Sequence, residues 1–241
     1  MLKNMLAAAL AFILAGLLFS QIAASVPLGA SVTTISNDTA TSAAAGLVNT
    51  TGGSITTIRL NGTSQNLRWK AYVGNASGKL SLDNSAGSSI YDWALTTITG
   101  EVYTTKTSGN VNWTGIGCAN ITQLETENAN MNHTNRDDNI SATFNAKNHT
   151  AFFIGTSQIT ANSCYSIHTY VNDAAQTQLF QEMPLYDAPA SSGGNMVYVT
   201  TLEQDQLGFD NMAYDFQMIV PENGLAGWNS ATAYYFYMEL S

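Results

Sequence analysis

From Leu67 onward, apolar and polar side chains alternate in short runs. Trp69, Ala71 and Val73 alternate with Arg68, Lys70 and Tyr72. A period of two is the mark of a half-buried strand. Asn75–Gly78 has turn chemistry, and Leu80 and Leu82 then face away from Lys79, Ser81 and Asp83. The two runs predict a β-hairpin with a four-residue loop. Asn84–Ser88 is a second polar turn. Tyr91, Trp93 and Leu95 form a third alternating run, and Gly100 breaks the chain before Glu101–Thr105.

Residues 106–150 are polar and rich in Asn. They predict a short helix over Ala119–Glu127, a strand near Ile140–Phe144 and otherwise long loops. Strands resume at Ala151–Gly155, Cys164–Val171, Leu179–Tyr186, Asn195–Leu202 and Tyr214–Val220. The last, Thr232–Leu240, carries Tyr234, Tyr235, Phe236 and Tyr237, and so much apolar surface places it deep in a sheet. About ten short strands with Gly, Asn and Ser turns predict an all-β fold, a β-sandwich or jelly-roll-like single domain over 67–241. Residues 26–66 are light in aromatics and rich in Thr, Ser, Ala and Gly. They read as an N-terminal extended arm with weak strand candidates at Ser31–Ser36 and Ser54–Leu60. No internal repeat is visible.

The first 25 residues change the picture. Lys3 precedes an apolar run from Met5 to Phe19, and Ala23 and Ser25 sit at −3 and −1 of a cut before Val26. This is the plan of a secretory signal peptide. The apolar core is shorter than the roughly 20 residues that span a bilayer, so the mature chain is expected to leave the membrane. The localisation this implies is extracellular or cell-surface.

Composition narrows the function. Charged residues are only 10% of the chain, and the net charge is −9. No two basic residues are adjacent, so the basic footprint that nucleic acid requires is missing. The two cysteines, Cys118 and Cys164, predict a disulfide in an oxidising compartment. Closing a loop of about 45 residues removes roughly 4 kcal/mol of unfolded-state entropy.

Asn-X-Ser/Thr sequons stand at Asn37, Asn49, Asn61, Asn75, Asn112, Asn120, Asn132, Asn139 and Asn148, and none lies beyond residue 148. In an exported chain they predict N-linked glycans on exposed loops of one decorated region. His133 and His149 are the middle residues of two sequons and are expected in surface loops. His168 falls in a strand. No metal or catalytic spacing links the three, and no cofactor motif is present. Asp137, Asp138, Glu203, Asp205, Asp210 and Asp215 are oxygen donors of the kind Ca²⁺ takes, without EF-hand spacing. Paired carboxylates for glycoside hydrolysis stay open on composition alone. Trp69, Trp93, Trp113, Trp228 and the Tyr234–Tyr237 cluster could stack on sugars, with Trp113 and Trp228 in expected loops.

The stretches Trp69–Asn75, Ile90–Trp93, Gly100–Tyr103, Tyr214–Gln217 and Val220–Gly224 resemble segments of uncharacterised exported archaeal surface proteins. The architecture is similar to archaeal filament subunits, in which a β-sandwich accepts a neighbour's N-terminal strand. The resemblance implies no enzyme activity and a head-to-tail homopolymer. An arm freed before Val26 would offer Val26, Leu28, Val32 and Ile35 as its apolar donor-strand residues. The alternatives are a monomeric adhesin or carbohydrate-binding module, an S-layer-associated protein, and a secreted hydrolase.

Overall fold

The computed structural model describes residues 26–188, 193–225, 227 and 231–241; the expected signal segment lies outside them. The chain is mostly β. Its centre is a seven-stranded antiparallel sheet in the order β1 (Leu28–Gly29), β15 (Tyr235–Leu240), β5 (Gly100–Thr105), β11 (Met196–Thr201), β10 (Gln181–Tyr186), β6 (Gly117–Cys118). The seventh strand, β9 (Ile167–His168), shares the β10 edge with β6.

Both faces of this sheet are covered. On one face, Val102, Met196, Tyr198, Tyr186 and Met238 pack under a two-stranded layer, β2 (Trp69–Gly74) with β14 (Phe216–Pro221). Helices α1 (Ile121–Asn130) and α2 (Ile140–Thr143) add Leu124 and Ile140 to the same core. On the other face, Tyr103, Met183, Leu185, Val197 and Val199 meet the β7 (Phe152–Ile154) and β8 (Ser157–Ile159) hairpin. Every residue of β10 is therefore buried, and so is nearly every residue of β5 and β11. A strand covered on both sides has no solvent face, so its polar residues need internal partners. Thr200 Oγ1 donates to the Gln217 carbonyl, and Ile219 N donates to Glu182 Oε2, which seats β14 over β10 and β11.

The disulfide forms between Cys118 and Cys164, with Cα atoms 4.9 Å apart. It ties β6 to the segment before β9, inside the second core.

Several local expectations change. Ile140–Phe144 forms a helical turn, α2, because Asn139 caps it by accepting from Ala142 N. The first helix begins after Asn120, whose side chain completes a capping box with Gln123, and it runs to Asn130. Its end is thus set by the cap and by Met131, not by the apolar pattern. The hairpin expected across Asn75–Gly78 does not form: β2 pairs with β14, and Lys79–Asp83 pairs instead with Ser89–Ala94, so the Asn75–Gly78 turn carries the chain from one sheet to another. Ser31–Ser36 and Ser54–Leu60 form no strand. His133 and His149 are buried, not surface residues. His133 Nε2 lies 2.7 Å from the Glu222 carbonyl, and its ring meets Trp69 edge-on. His149 Nε2 accepts from Cys164 N. In each case a neighbouring backbone group offers the ring a partner that sequence position does not reveal.

A small hairpin, β3 (Lys79–Asp83) with β4 (Ser89–Ala94), stands apart from both cores, and all its residues are exposed. Another short pair, β12 (Gln206–Leu207) with β13 (Ala213–Tyr214), lies before β14.

Candidate functional site

Three features could carry function: the sheet edge at β15, the exposed sequons, and a pair of buried carboxyl groups.

At the edge, Leu28 pairs with Met238 and Gly29 with Tyr237. Ala30 N extends the ladder to the Phe236 carbonyl. Pro27 is buried and Val26 half-buried, whereas Leu28 is 70% exposed. Beyond Ala30 the chain leaves the domain. Residues 31–66 contain no helix or strand and are exposed throughout, Val32 and Ile35 included. Of the four expected donor residues, only Val26 and Leu28 approach a sheet, and that sheet belongs to the same chain.

Eight of the nine sequon asparagines are exposed: Asn37, Asn49, Asn61, Asn75, Asn112, Asn120, Asn132 and Asn148; Asn139 is half-buried. Asn112, Asn120 and Asn139 use their side-chain oxygens as helix N-caps. A glycan attaches at Nδ2, so capping through Oδ1 leaves the acceptor atom available.

The carboxyl pair is Glu101 and Glu239, opposed across β5 and β15. Both line a recess of about 450 Å³ with Phe153, Gly155 and Thr201. Glu239 accepts from Gly155 N through both oxygens, at 2.9 and 3.0 Å, and from the Tyr103 hydroxyl at 3.3 Å. Burial first, and the neighbouring Glu239 charge second, push the Glu101 carboxyl up to about 8, against a hydrogen bond from the Phe153 backbone. The pair can therefore hold a proton at neutral pH. It also grips the β7–β8 hairpin through backbone N–H groups. Sequence reading missed it, although Glu239 interrupts the apolar run of the last strand, and that is the one local signal that could have found it.

Four of the six acidic residues considered for Ca²⁺, Asp138, Glu203, Asp210 and Asp215, accept hydrogen bonds from protein groups. Asp138 takes a forked contact from Arg68, with Nη2 to Oδ2 at 2.7 Å, and a second bond from Asn66. Asp215 accepts from Ala76 N and Asp205 N. Among the described residues no group of three or more His, Cys, Asp or Glu side chains could hold a metal ion.

The expected sugar platforms divide. Trp113 is half-buried between Tyr103 and Tyr237, each ring about 5.2 Å away and edge-on. Trp228 lies outside the described residues. Of the final cluster only Tyr235 is exposed. Of the two strand candidates, Trp93 is exposed and meets the exposed Tyr91 edge-on at 5.0 Å, whereas Trp69 packs against the core.

Among the described residues no helix is long and apolar enough to cross a membrane. The disulfide fits a protein of an oxidising, extracellular compartment. Set against protein families, curated proteins and solved structures, the chain matches none of them.

Proposed function

We propose that the chain is a structural subunit of an extracellular, pilus-like filament. Its β-sandwich subunits would be joined by β-strand donation and carry N-linked glycans on their exposed loops, in keeping with an archaeal cell surface. The observation that carries this reading is the attachment of β1. It adds a short strand to the β15 edge, and it is joined to the body only through the exposed residues 31–66.

A flexible segment of this length has a root-mean-square span of about 33 Å. That is comparable to the width of a domain of this size, so β1 can reach the β15 edge of a neighbour. The ladder it forms is the same within a chain or between chains, and local concentration decides which is populated. Because donor and acceptor are different surfaces, exchange between copies runs head to tail and propagates.

The register supplies the test. Replacing Leu28→Cys together with Met238→Cys places two thiols at paired positions. Strand donation gives a ladder of disulfide-linked oligomers on a non-reducing gel and filaments in negative stain. Only intramolecular bridges, with monomeric particles, would sink the reading.

A second reading, a carbohydrate-binding adhesin, draws on the exposed Tyr91 and Trp93 pair. Glycan-array binding by a monomeric protein would favour it.

A further inference from the structure

Two surfaces of this chain are bare, and they fit each other. The first is the β3–β4 hairpin. Leu80 pairs with Trp93 and Leu82 with Tyr91, which puts all four side chains on one face. All four are exposed. Every hydrogen bond shown for residues 79–94, among the described residues, stays within the hairpin. An isolated two-stranded hairpin is marginal in water, and its two outer edges carry unpaired backbone groups that attract another strand.

The second surface is Ser54–Leu60 in the arm. Its sequence, Ser-Ile-Thr-Thr-Ile-Arg-Leu, has four β-branched residues in seven. Such residues favour the pleated, half-buried setting of a sheet. Yet the segment pairs with nothing: Ile55 is 99% and Leu60 85% exposed. Its hydrogen bonds reach no further than Thr50 and Thr51. In an extended strand Thr56, Ile58 and Leu60 would share one side and Arg59 would fall on the other. The hairpin bears Asp83 and Asp92 against a single Lys79, so Arg59 meets a surface of opposite net charge.

We propose that the β3–β4 hairpin is the docking site for Ser54–Leu60 of a second copy of this chain. The inference rests on the self-assembly reading and deepens it. Its location agrees with that reading, because Gly78, at the root of the hairpin, abuts Leu240 at the end of β15. One neighbour's arm could therefore engage both the β15 edge and the hairpin. The arm strand adds to a hairpin edge, as in β-augmentation, and buries Ile58 and Leu60 beside Trp93 and Tyr91. Two complementary surfaces that stay apart within one chain form a heterologous contact between chains.

The test uses the full exported protein and two exposed substitutions, Ile58→Asp and Trp93→Asp, with circular dichroism to confirm the fold. Sedimentation velocity over a concentration series reads the assembly. Each variant should raise the apparent dissociation constant at least tenfold. A one-to-one mixture should form dimers at a concentration where each variant alone is monomeric, since one intact hairpin then meets one intact arm. Wild-type assembly by either variant overturns the inference, as does loss of glycan binding in Trp93→Asp with assembly unchanged. If both variants assemble normally while Leu28→Cys/Met238→Cys still gives the disulfide ladder, only this inference falls. A wild-type chain that stays monomeric at every concentration overturns both.

Discussion

Glu101 and Glu239 face each other across neighbouring strands, 7% and 6% exposed. Like charges directly opposed in a ladder are destabilising, and burial compounds the cost. The structure answers by keeping Glu101 protonated up to about pH 8. A carboxyl whose value is raised on folding, from 4.5 to about 8, binds its proton more tightly in the native state. Its stabilising contribution is complete below about 4.5 and is lost as pH rises through 8. Thermal unfolding should therefore move to lower temperature between pH 6 and pH 9, by an amount equivalent to a few kcal/mol at most. Glu101→Gln should flatten that slope while keeping the fold. Unfolding midpoints at the two pH values, for both proteins, check it.

Glu222 works in the opposite sense at the acid end. Burial pushes its carboxyl up, but Lys70, Thr232 and two backbone N–H groups outweigh this and hold it at about 2. Stability from this group is present above about 4.5 and fades as pH falls toward 2. Lys70→Met should reduce stability at pH 6 by about 1–2 kcal/mol, and by less at pH 2.5. Urea unfolding at the two pH values reads the difference.

Gly100 opens β5 with φ near +130°, and a Cβ there would sit 2.0 Å from the Glu239 carbonyl oxygen. Backbone cannot yield as a flexible side chain can. Gly100→Ala should cost about 2–4 kcal/mol, well above a typical surface change, with chemical denaturation as the measurement. Gly87→Ala, at a φ of +77° with open space around it, should cost only about 1 kcal/mol.

Removing the disulfide with Cys118→Ala and Cys164→Ala should lower stability by about 4 kcal/mol, the loop-closure value for a sequence separation of 46. Guanidinium midpoints of the two proteins test this. Refolding under reducing conditions should show the same loss in the wild-type chain.

The cap and the sequon at Asn120 can be separated. Asn120→Gln removes both and should cost about 1 kcal/mol even in unglycosylated protein. Thr122→Ala removes only the sequon and should leave unglycosylated protein unchanged. Mass spectrometry of protein purified from its native host, combined with thermal unfolding of both variants, distinguishes the two effects.

Local pattern located most of the elements. Alternation at 69–74, 79–83 and 101–105 marks strands that form, and the stretch Ala119–Glu127 holds most of a helix that runs from Ile121 to Asn130. Pattern also misled where a short segment is ambiguous. Ile140–Phe144 is apolar enough for a strand, but the Asn139 cap turns it into a helix. Ser54–Leu60 has strand chemistry and no strand to pair with. The carboxyl pair stayed hidden because its members lie 138 positions apart in sequence and become neighbours only through the β5–β15 register. Likewise, Tyr91 and Trp93 look half-buried from their alternation, yet no described layer packs over them.

By itself the sequence determined the all-β character, the single cysteine pair and the weak structure of the arm, because each follows from residues close in the chain or from residue chemistry; which strands a turn joins, as at Asn75–Gly78, it did not. Tertiary structure alone decided that the central sheet is covered on both faces, that His133 and His149 go inside, and that Glu101 meets Glu239. Those outcomes depend on which distant strands lie side by side. Alternation within one strand says which residues share a face, but not what that face will touch.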